Sequence, residues 1–265
     1  MTARFIAADA VLISAQASLV ALPAAGVPRW MRRFAGGWWA LILPLSIAVV
    51  VAAIELIPQT ADALTWIALI LIPPGAALAL GWAMHGARWP YAALAAPLLI
   101  LAWADVSGLA GDAAAAVLTA LSCVTLGRIL AGIVPVAWLK VGIVAMAIVD
   151  AILVFGNELQ APNAVLNAAV PAPGAPQLQY LDLHYASIGY GDVFVAGVLG
   201  GVLAVERRAQ WPAAALVLAC SIVWDLLFFH YDTLPATVPV ALALVIMESR
   251  RQWASRPRRG AFTAS

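Results

Sequence analysis

Charged residues are scarce in this chain. Asp, Glu, Lys and Arg make up 10% of its 265 residues, whereas hydrophobic residues make up 65%, and the mean hydropathy is +0.97. Soluble domains carry about a quarter charged residues, so the composition excludes a water-soluble fold. A helix that crosses ~30 Å of hydrocarbon needs ~20 mostly apolar residues. The chain therefore has room for about nine crossings and for no large globular domain.

Lysine and cysteine are rarer still. Lys140 is the single lysine beside thirteen arginines, and the formal net charge is +1. No basic face appears, so nucleic acid is excluded as a partner. Cys123 and Cys220 lie far apart in apolar runs and form neither a C-x-x-C zinc pair nor a disulfide framework. We interpret both as packing residues, and the sequence predicts no metal and no cofactor.

Apolar runs are what the sequence has in abundance. Short connectors with Gly and Pro separate them, and the connector 158–184 is longer and more polar than the others. The sequence predicts an all-α polytopic membrane protein, with helices one to five in 1–134, helices six to nine in 135–249 and a basic cytoplasmic tail at 250–265. The nine predicted spans are 5–26, 38–57, 63–84, 91–106, 112–134, 138–157, 185–205, 211–230 and 234–248.

The basic residues predict the orientation, because cytoplasmic loops retain positive charge. With nine crossings, every basic residue except Arg4 falls on one side. We therefore expect an integral protein of a prokaryotic cytoplasmic membrane, with the N-terminus outside and the C-terminus in the cytoplasm. The first run also has the form of a signal peptide, but cleavage would leave Arg29, Arg32 and Arg33 beside an outside terminus. The sequence thus favours a retained helix.

Two aspartates lie within apolar runs, where an ionised side chain costs several kcal/mol and usually marks function. Asp150 and Asp192 are each seven residues from the outer end of spans six and seven. At ~1.5 Å per residue both are expected ~10 Å below the outer surface, on antiparallel neighbours. The alternative is two separate polar residues, each bonded to a neighbouring helix or lining a water path. Asp225 is a third acidic residue at similar depth, which we interpret as a cavity or packing residue.

A pair of carboxyl groups within hydrogen-bonding reach has chemistry that neither group has alone. The two hold one proton between them over a broad pH range. The ionised partner takes a proton from water while the protonated partner donates to a carbonyl oxygen under attack. Such a pair predicts aspartyl proteolysis, and within a membrane it also requires a polar cavity that opens to one side.

The residues around both aspartates resemble a known family. Gly189-Tyr190-Gly191-Asp192 fits the G-x-G-D motif of the presenilin and signal peptide peptidase intramembrane aspartyl proteases. Asp150, one span earlier, is similar to that family's first aspartate, and nine spans with aspartates on the sixth and seventh also fit. The resemblance covers mainly 140–245. It implies a presenilin-like fold, Asp150 and Asp192 as catalytic residues, and Gly189, Tyr190 and Gly191 as parts of the active-site motif.

Two departures accompany this resemblance. The family's Pro-Ala-Leu motif at the start of the ninth span is matched by Pro235-Ala236-Thr237, with Thr237 in place of Leu. The resemblance implies that these three residues position substrate, and proline is expected to leave a local carbonyl free for it. The segment 239–242 offers a second register for this motif. Val149 stands where the family usually has Tyr before the first aspartate.

The predicted orientation distinguishes the branches of the family. The 158–184 connector is brief and faces outside, which resembles signal peptide peptidases rather than presenilins. The resemblance then implies a transmembrane peptide or protein substrate with its N-terminus in the cytoplasm, such as a signal-peptide remnant. Residues 177–183 are predicted to form an edge strand that pairs with unwound substrate. The sequence does not indicate an oligomeric state.

Two other functions compete with this prediction. Prepilin peptidases share G-x-G-D, but they normally carry Lys where this chain has Phe194, and they cleave near the cytoplasmic face. A carboxylate-dependent transporter or proton channel is the stronger alternative, because it too needs buried carboxylates and access for water.

Overall fold

The computed structural model describes residues 3–254. Most of the described chain is helical. Arg250 and Arg251 belong to the last helix, whereas 255–265 of the predicted basic tail lie outside the described residues. The helices and strands are α1 (Ala3–Ser18), α2 (Ile42–Leu56), α3 (Thr60–Leu78), α4 (Ala95–Ala104), α5 (Leu109–Ile133), α6 (Val136–Phe155), α7 (Gln160–Ala168), β1 (Tyr180–Asp182), β2 (Ser187–Gly189), α8 (Tyr190–Val205), α9 (Gln210–Asp225) and α10 (Val238–Ala254).

Within the described residues, five helical stretches are long and apolar enough to cross a membrane. They include short 3₁₀ or π turns that extend α2, α3 and α9, and they are Gly37–Leu56, Thr60–Ala83, Leu109–Ile133, Val136–Phe155 and Gln210–Phe229. Trp89–Ala104 and Tyr190–Val205 are shorter apolar helices. A membrane protein built of helices is thus supported, and each predicted apolar run contains a helix, although several helices are shorter than their runs.

Helix α8 lies at the centre of the bundle. Its twelve residues from Val193 to Ala204 are all buried, and α5 is the helix that it packs against most extensively. The two backbones touch at glycines: a Cβ on Gly127 would overlap the carbonyl oxygen of Gly197, and one on Gly201 would lie 2.5 Å from that of Gly127. Small residues allow such close approach between membrane helices. The hydrophobic core therefore includes residues from both predicted segments, 1–134 and 135–249.

The start of the seventh predicted span is wrong. Residues 185–189 are not helical; Ser187–Gly189 forms β2, which pairs antiparallel with β1, and α8 begins only at Tyr190. The physical reason is that this short segment satisfies its backbone groups in a hairpin, which apolar content alone cannot distinguish from a helix. Asp192 thus lies in the first turn of α8, and the depth calculated for it from helical rise does not apply.

The hairpin has a defined register. Leu181 is opposite Ile188. On either side of this pair, the Leu183 N–H donates to Ala186 O and the Tyr190 N–H donates to Gln179 O, so Leu181 and Ile188 also occupy a hydrogen-bonded position. Because hydrogen-bonded and non-hydrogen-bonded pairs alternate, the backbone N–H and C=O groups of Ser187 and Gly189 point away from β1. The predicted strand in 177–183 is present as β1, and its partner is β2 of the same chain.

An ionic cluster joins α6, α8 and α10 at the end of the bundle opposite the hairpin. The Lys140 ammonium lies 2.7 Å from Glu206 and 3.0 Å from Glu248, both partly buried. Arg208 also pairs with Glu248, and Arg251 lies 3.4 Å from Glu206. The three helices that carry Asp150, Asp192 and the segment after Thr237 are therefore tied together at this end.

Candidate active site

The structure brings Asp150 of α6 and Asp192 of α8 together. The two carboxyl groups lie close enough for the charge of Asp150 to act on Asp192. Their helices are in contact as well: a Cβ on Gly191 would lie 3.3 Å from the terminal methyl of the Met146 side chain, one helical turn before Asp150. The two acidic residues therefore face each other across adjacent helices within electrostatic reach, each with its own hydrogen-bond donor.

Asp150 is buried, with 3% of its surface exposed, and its polar partner is Thr237. The Thr237 hydroxyl donates a hydrogen bond of 2.6 Å to Asp150 Oδ2, and the Thr237 backbone N–H donates to the same oxygen at 3.4 Å. Thr237 is itself fully buried just before α10. Hydrogen bonds to a carboxylate are shorter and stronger than those between neutral groups. Thr237, the last residue of the Pro235-Ala236-Thr237 segment, thus contacts Asp150 directly.

Asp192 is bound differently and is partly exposed. Its carboxyl group accepts a hydrogen bond from the backbone N–H of Gly189, the residue that caps the N-terminus of α8. This is the geometry in which an acidic residue in the first turn reaches back to the cap. The side chain is consequently held at the helix N-terminus, beside the hairpin.

The two glycines and the tyrosine of the G-x-G-D segment make distinct contacts. A Cβ on Gly189 would lie 3.1 Å from Asp192 Oδ2, so its lack of a side chain leaves room for the carboxyl group. Tyr190 turns toward α5, where its hydroxyl is 3.0 Å from the hydroxyl of Ser122. Tyr190 thus anchors the start of α8 against α5.

The three carbonyl oxygens of the Pro235-Ala236-Thr237 segment each accept a hydrogen bond from the protein. Pro235 O accepts from the backbone N–H of Val238 at 3.4 Å, and Thr237 O accepts from Ala241 N–H at 3.2 Å. Ala236 O accepts from the Gln16 side chain at 3.0 Å. None of these three carbonyls is left without a protein donor, because the start of α10 and a neighbouring helix use them. That one of them also accepts from substrate stays a prediction, because each carbonyl oxygen has a second lone pair.

Gln16 of α1 is a site residue that the sequence did not reveal. It is buried, with 1% of its surface exposed, and its Nε2 also donates to the backbone oxygen of Asp192 at 2.9 Å. A polar amide in an apolar run was the available signal, since such groups usually bond to a neighbouring helix. No local pattern indicates which helix that would be.

Other predicted positions lie elsewhere. Asp225 is hydrogen-bonded to Asp9 of α1 and is not part of the Asp150–Asp192 pair. Cys123 is buried, Cys220 is partly buried and both thiols are free, which agrees with packing roles. A cavity of about 80 Å³ lies near the hairpin. Its lining includes Asp112, Gln177 and Tyr180, and neither Asp150 nor Asp192 belongs to it. Among residues 3–254, no cluster of three or more potential metal ligands occurs.

Chemically, the site consists of two carboxyl groups on adjacent helices, each with a hydrogen-bond donor of its own: Thr237 for Asp150 and the Gly189 N–H for Asp192. No family model, no curated protein and no solved structure matches the chain. The chemistry of this chain is accordingly inferred from the geometry of the site and from its residue patterns.

Proposed function

We propose that this chain is an intramembrane aspartyl endopeptidase of the presenilin and signal peptide peptidase type. One observation carries the proposal. Asp150 and Asp192 lie within electrostatic reach of each other across α6 and α8, and Thr237 of the Pro235-Ala236-Thr237 segment is hydrogen-bonded to Asp150. Three segments that are distant in sequence, each resembling a family motif, thus converge on one site. Such convergence is a stronger argument than any one tetrapeptide.

In this mechanism the two carboxyl groups share a proton. The ionised member removes a proton from a water molecule, which attacks the peptide carbonyl, while the protonated member donates its proton to the carbonyl oxygen. Collapse of the tetrahedral intermediate breaks the C–N bond and transfers a proton to the leaving amine. The contacts of Thr237 with Asp150 and of Gly189 with Asp192 hold both groups in place without adding a charge.

The proposed arrangement in the membrane has nine crossings, with the N-terminus outside and the hairpin toward the outer surface of a prokaryotic cytoplasmic membrane. Arginine placement supports this orientation. Substrates are transmembrane segments with a cytoplasmic N-terminus, including signal-peptide remnants. The outward-facing N–H and C=O of Ser187, together with the C=O of Gly189, offer an edge on which an unwound substrate adds a strand beside Asp192.

The test is cleavage of a model type II transmembrane peptide by the purified full chain, with products read by mass spectrometry. Asp150→Ala and Asp192→Ala are expected to abolish cleavage while the protein still folds, as judged by circular dichroism and thermal unfolding. Asp225→Asn is the matched control, because it also removes a carboxyl group from an apolar helix but lies outside the pair. Persistence of cleavage in either alanine variant would refute the proposal.

A proton channel or carboxylate-dependent transporter is the second candidate. The hydrogen-bonded Asp9 and Asp225 carboxyls favour it, because a second acidic pair within apolar helices is what a proton path requires. Proton flux into vesicles containing the purified protein, followed with a pH-sensitive dye, separates the two functions. A channel predicts proton flux that Asp225→Asn abolishes, and it predicts no peptide products. The protease predicts peptide products that Asp225→Asn retains, and it predicts no proton flux.

A further inference from the structure

Gln16 connects the two halves of the candidate site. Its Nε2 donates to Asp192 O on α8 at 2.9 Å and to Ala236 O, in the segment before α10, at 3.0 Å. Both partners are carbonyl oxygens, so only the NH₂ end of the amide satisfies them, and the orientation of the side chain is determined by chemistry. Both hydrogens of one amide group are therefore used to join two different segments.

A continuous chain of contacts follows from these bonds. Asp150 accepts from Thr237, Thr237 follows Ala236, and Ala236 O shares the Gln16 amide with Asp192 O. This series of hydrogen bonds, of 2.6, 3.0 and 2.9 Å, links the carboxyl group of Asp150 to the backbone of Asp192. Gln16 touches neither carboxyl group, so its influence on the pair must pass through the two backbones.

The position of Gln16 also indicates that its role is local to this site. Ala236 lies outside any helix, so its carbonyl lacks the partner that a helix would supply, and Gln16 provides it. The side chain is almost wholly buried, where an amide without partners is costly. An apolar residue of the same length would therefore release the segment 235–237 from α8.

We propose that Gln16 is a positioning residue, which sets the separation of Asp150 and Asp192 by holding the Pro235-Ala236-Thr237 segment against the first turn of α8. This inference goes beyond the proposed function and rests on it for its kinetic test. Catalysis is sensitive to displacements of this kind, since a misplacement of ~1 Å can cost about 100-fold in rate.

The experiment compares Gln16→Met, which retains length but has no donor, with Gln16→Asn, which retains both donors on a shorter stem. Thr125→Val is the matched control, because Thr125 is equally buried and donates a 2.7 Å bond to Gly75 O between α5 and α3, away from the aspartates. With the model type II peptide, Gln16→Met is expected to lower kcat by about 10- to 100-fold, to alter the pH profile and to change KM little. Gln16→Asn should be intermediate, and Thr125→Val should remain within about 3-fold of the wild type.

A second readout does not depend on cleavage. Solid-state NMR of the ¹³C-labelled aspartate carboxyls in lipid nanodiscs follows the titration of Asp150 and Asp192, and Gln16→Met is expected to change it whereas Thr125→Val is not. An unchanged kcat, pH profile and titration in Gln16→Met would overturn the inference. If the wild type cleaves no peptide but Gln16→Met changes the titration, the proposed function fails while the positioning role stands. If neither cleavage nor any titration change is observed, both fail.

Discussion

The hydroxyl of Thr237 donates to Asp150 Oδ2 at 2.6 Å, and both side chains are buried. This bond joins the segment before α10 to the middle of the apolar helix α6. It gives the Pro235-Ala236-Thr237 segment a direct contact with one of the two aspartates.

Removal of the Thr237 hydroxyl is expected to reduce cleavage. Thr237→Val keeps the shape but deletes the donor to Asp150, and bonds to charged groups contribute about 1.5–3 kcal/mol, so kcat should fall by about 10- to 100-fold. Thr237→Ser retains the hydroxyl and should preserve most activity. Peptide cleavage rates measured at several pH values check this. Equal losses in the Val and Ser variants would contradict a role for the hydroxyl.

The glycines before Asp192 should differ in their tolerance of alanine. In Gly189→Ala the new Cβ would lie 3.1 Å from Asp192 Oδ2 and displace the carboxyl group, so kcat should fall. In Gly191→Ala the new Cβ meets only the flexible end of Met146, at 3.3 Å, and a smaller loss is expected. Steady-state kinetics of both variants test the order. A greater loss in Gly191→Ala would argue against this account of the site.

The outward edge of β2 provides a test of substrate pairing. The Ser187 N–H points away from β1, so Ser187→Pro removes a donor from the open edge without removing a bond of the hairpin ladder. One lost hydrogen bond of about 1 kcal/mol should raise KM by about 5-fold. Ser187→Ala keeps the backbone donor and serves as the control. Wild-type KM in Ser187→Pro would exclude pairing at this N–H.

The hairpin should also lose stability at high pH. Burial, together with the nearby Asp182 and Asp112 carboxylates, raises the pKa of Tyr180 to about 12. The ordinary value is about 10, so the unfolded chain loses this proton first, and the stabilisation is complete below pH ~10 and is lost as the pH rises toward 12. The difference in phenolate absorbance between wild type and Tyr180→Phe should titrate near 12. A midpoint near 10 would show that Tyr180 is not enclosed.

The sequence indicates some features of this molecule and not others, for physical reasons. Asp150 and Asp192 stand out because ionisable groups are rare in long apolar runs, and the apolar runs themselves mark the helices. The strand at Ser187–Gly189 has no such signal, because short apolar segments fit a helix or a strand equally well. Gln16 and Thr237 are uncharged, and their partners are set by tertiary packing between α1, α6, α8 and α10, which no local pattern specifies.

The glycine contacts between α5 and α8 have a consequence for the position of Asp192. Where the backbones touch at Gly127, Gly197 and Gly201, no side chain fits between the two helices. Asp192 is carried on the helix that these contacts seat against α5, whereas much of α6, which carries Asp150, lies outside the core. A methyl group added at any of these three glycines is therefore expected to push α8 away from α5 and to move Asp192 with it.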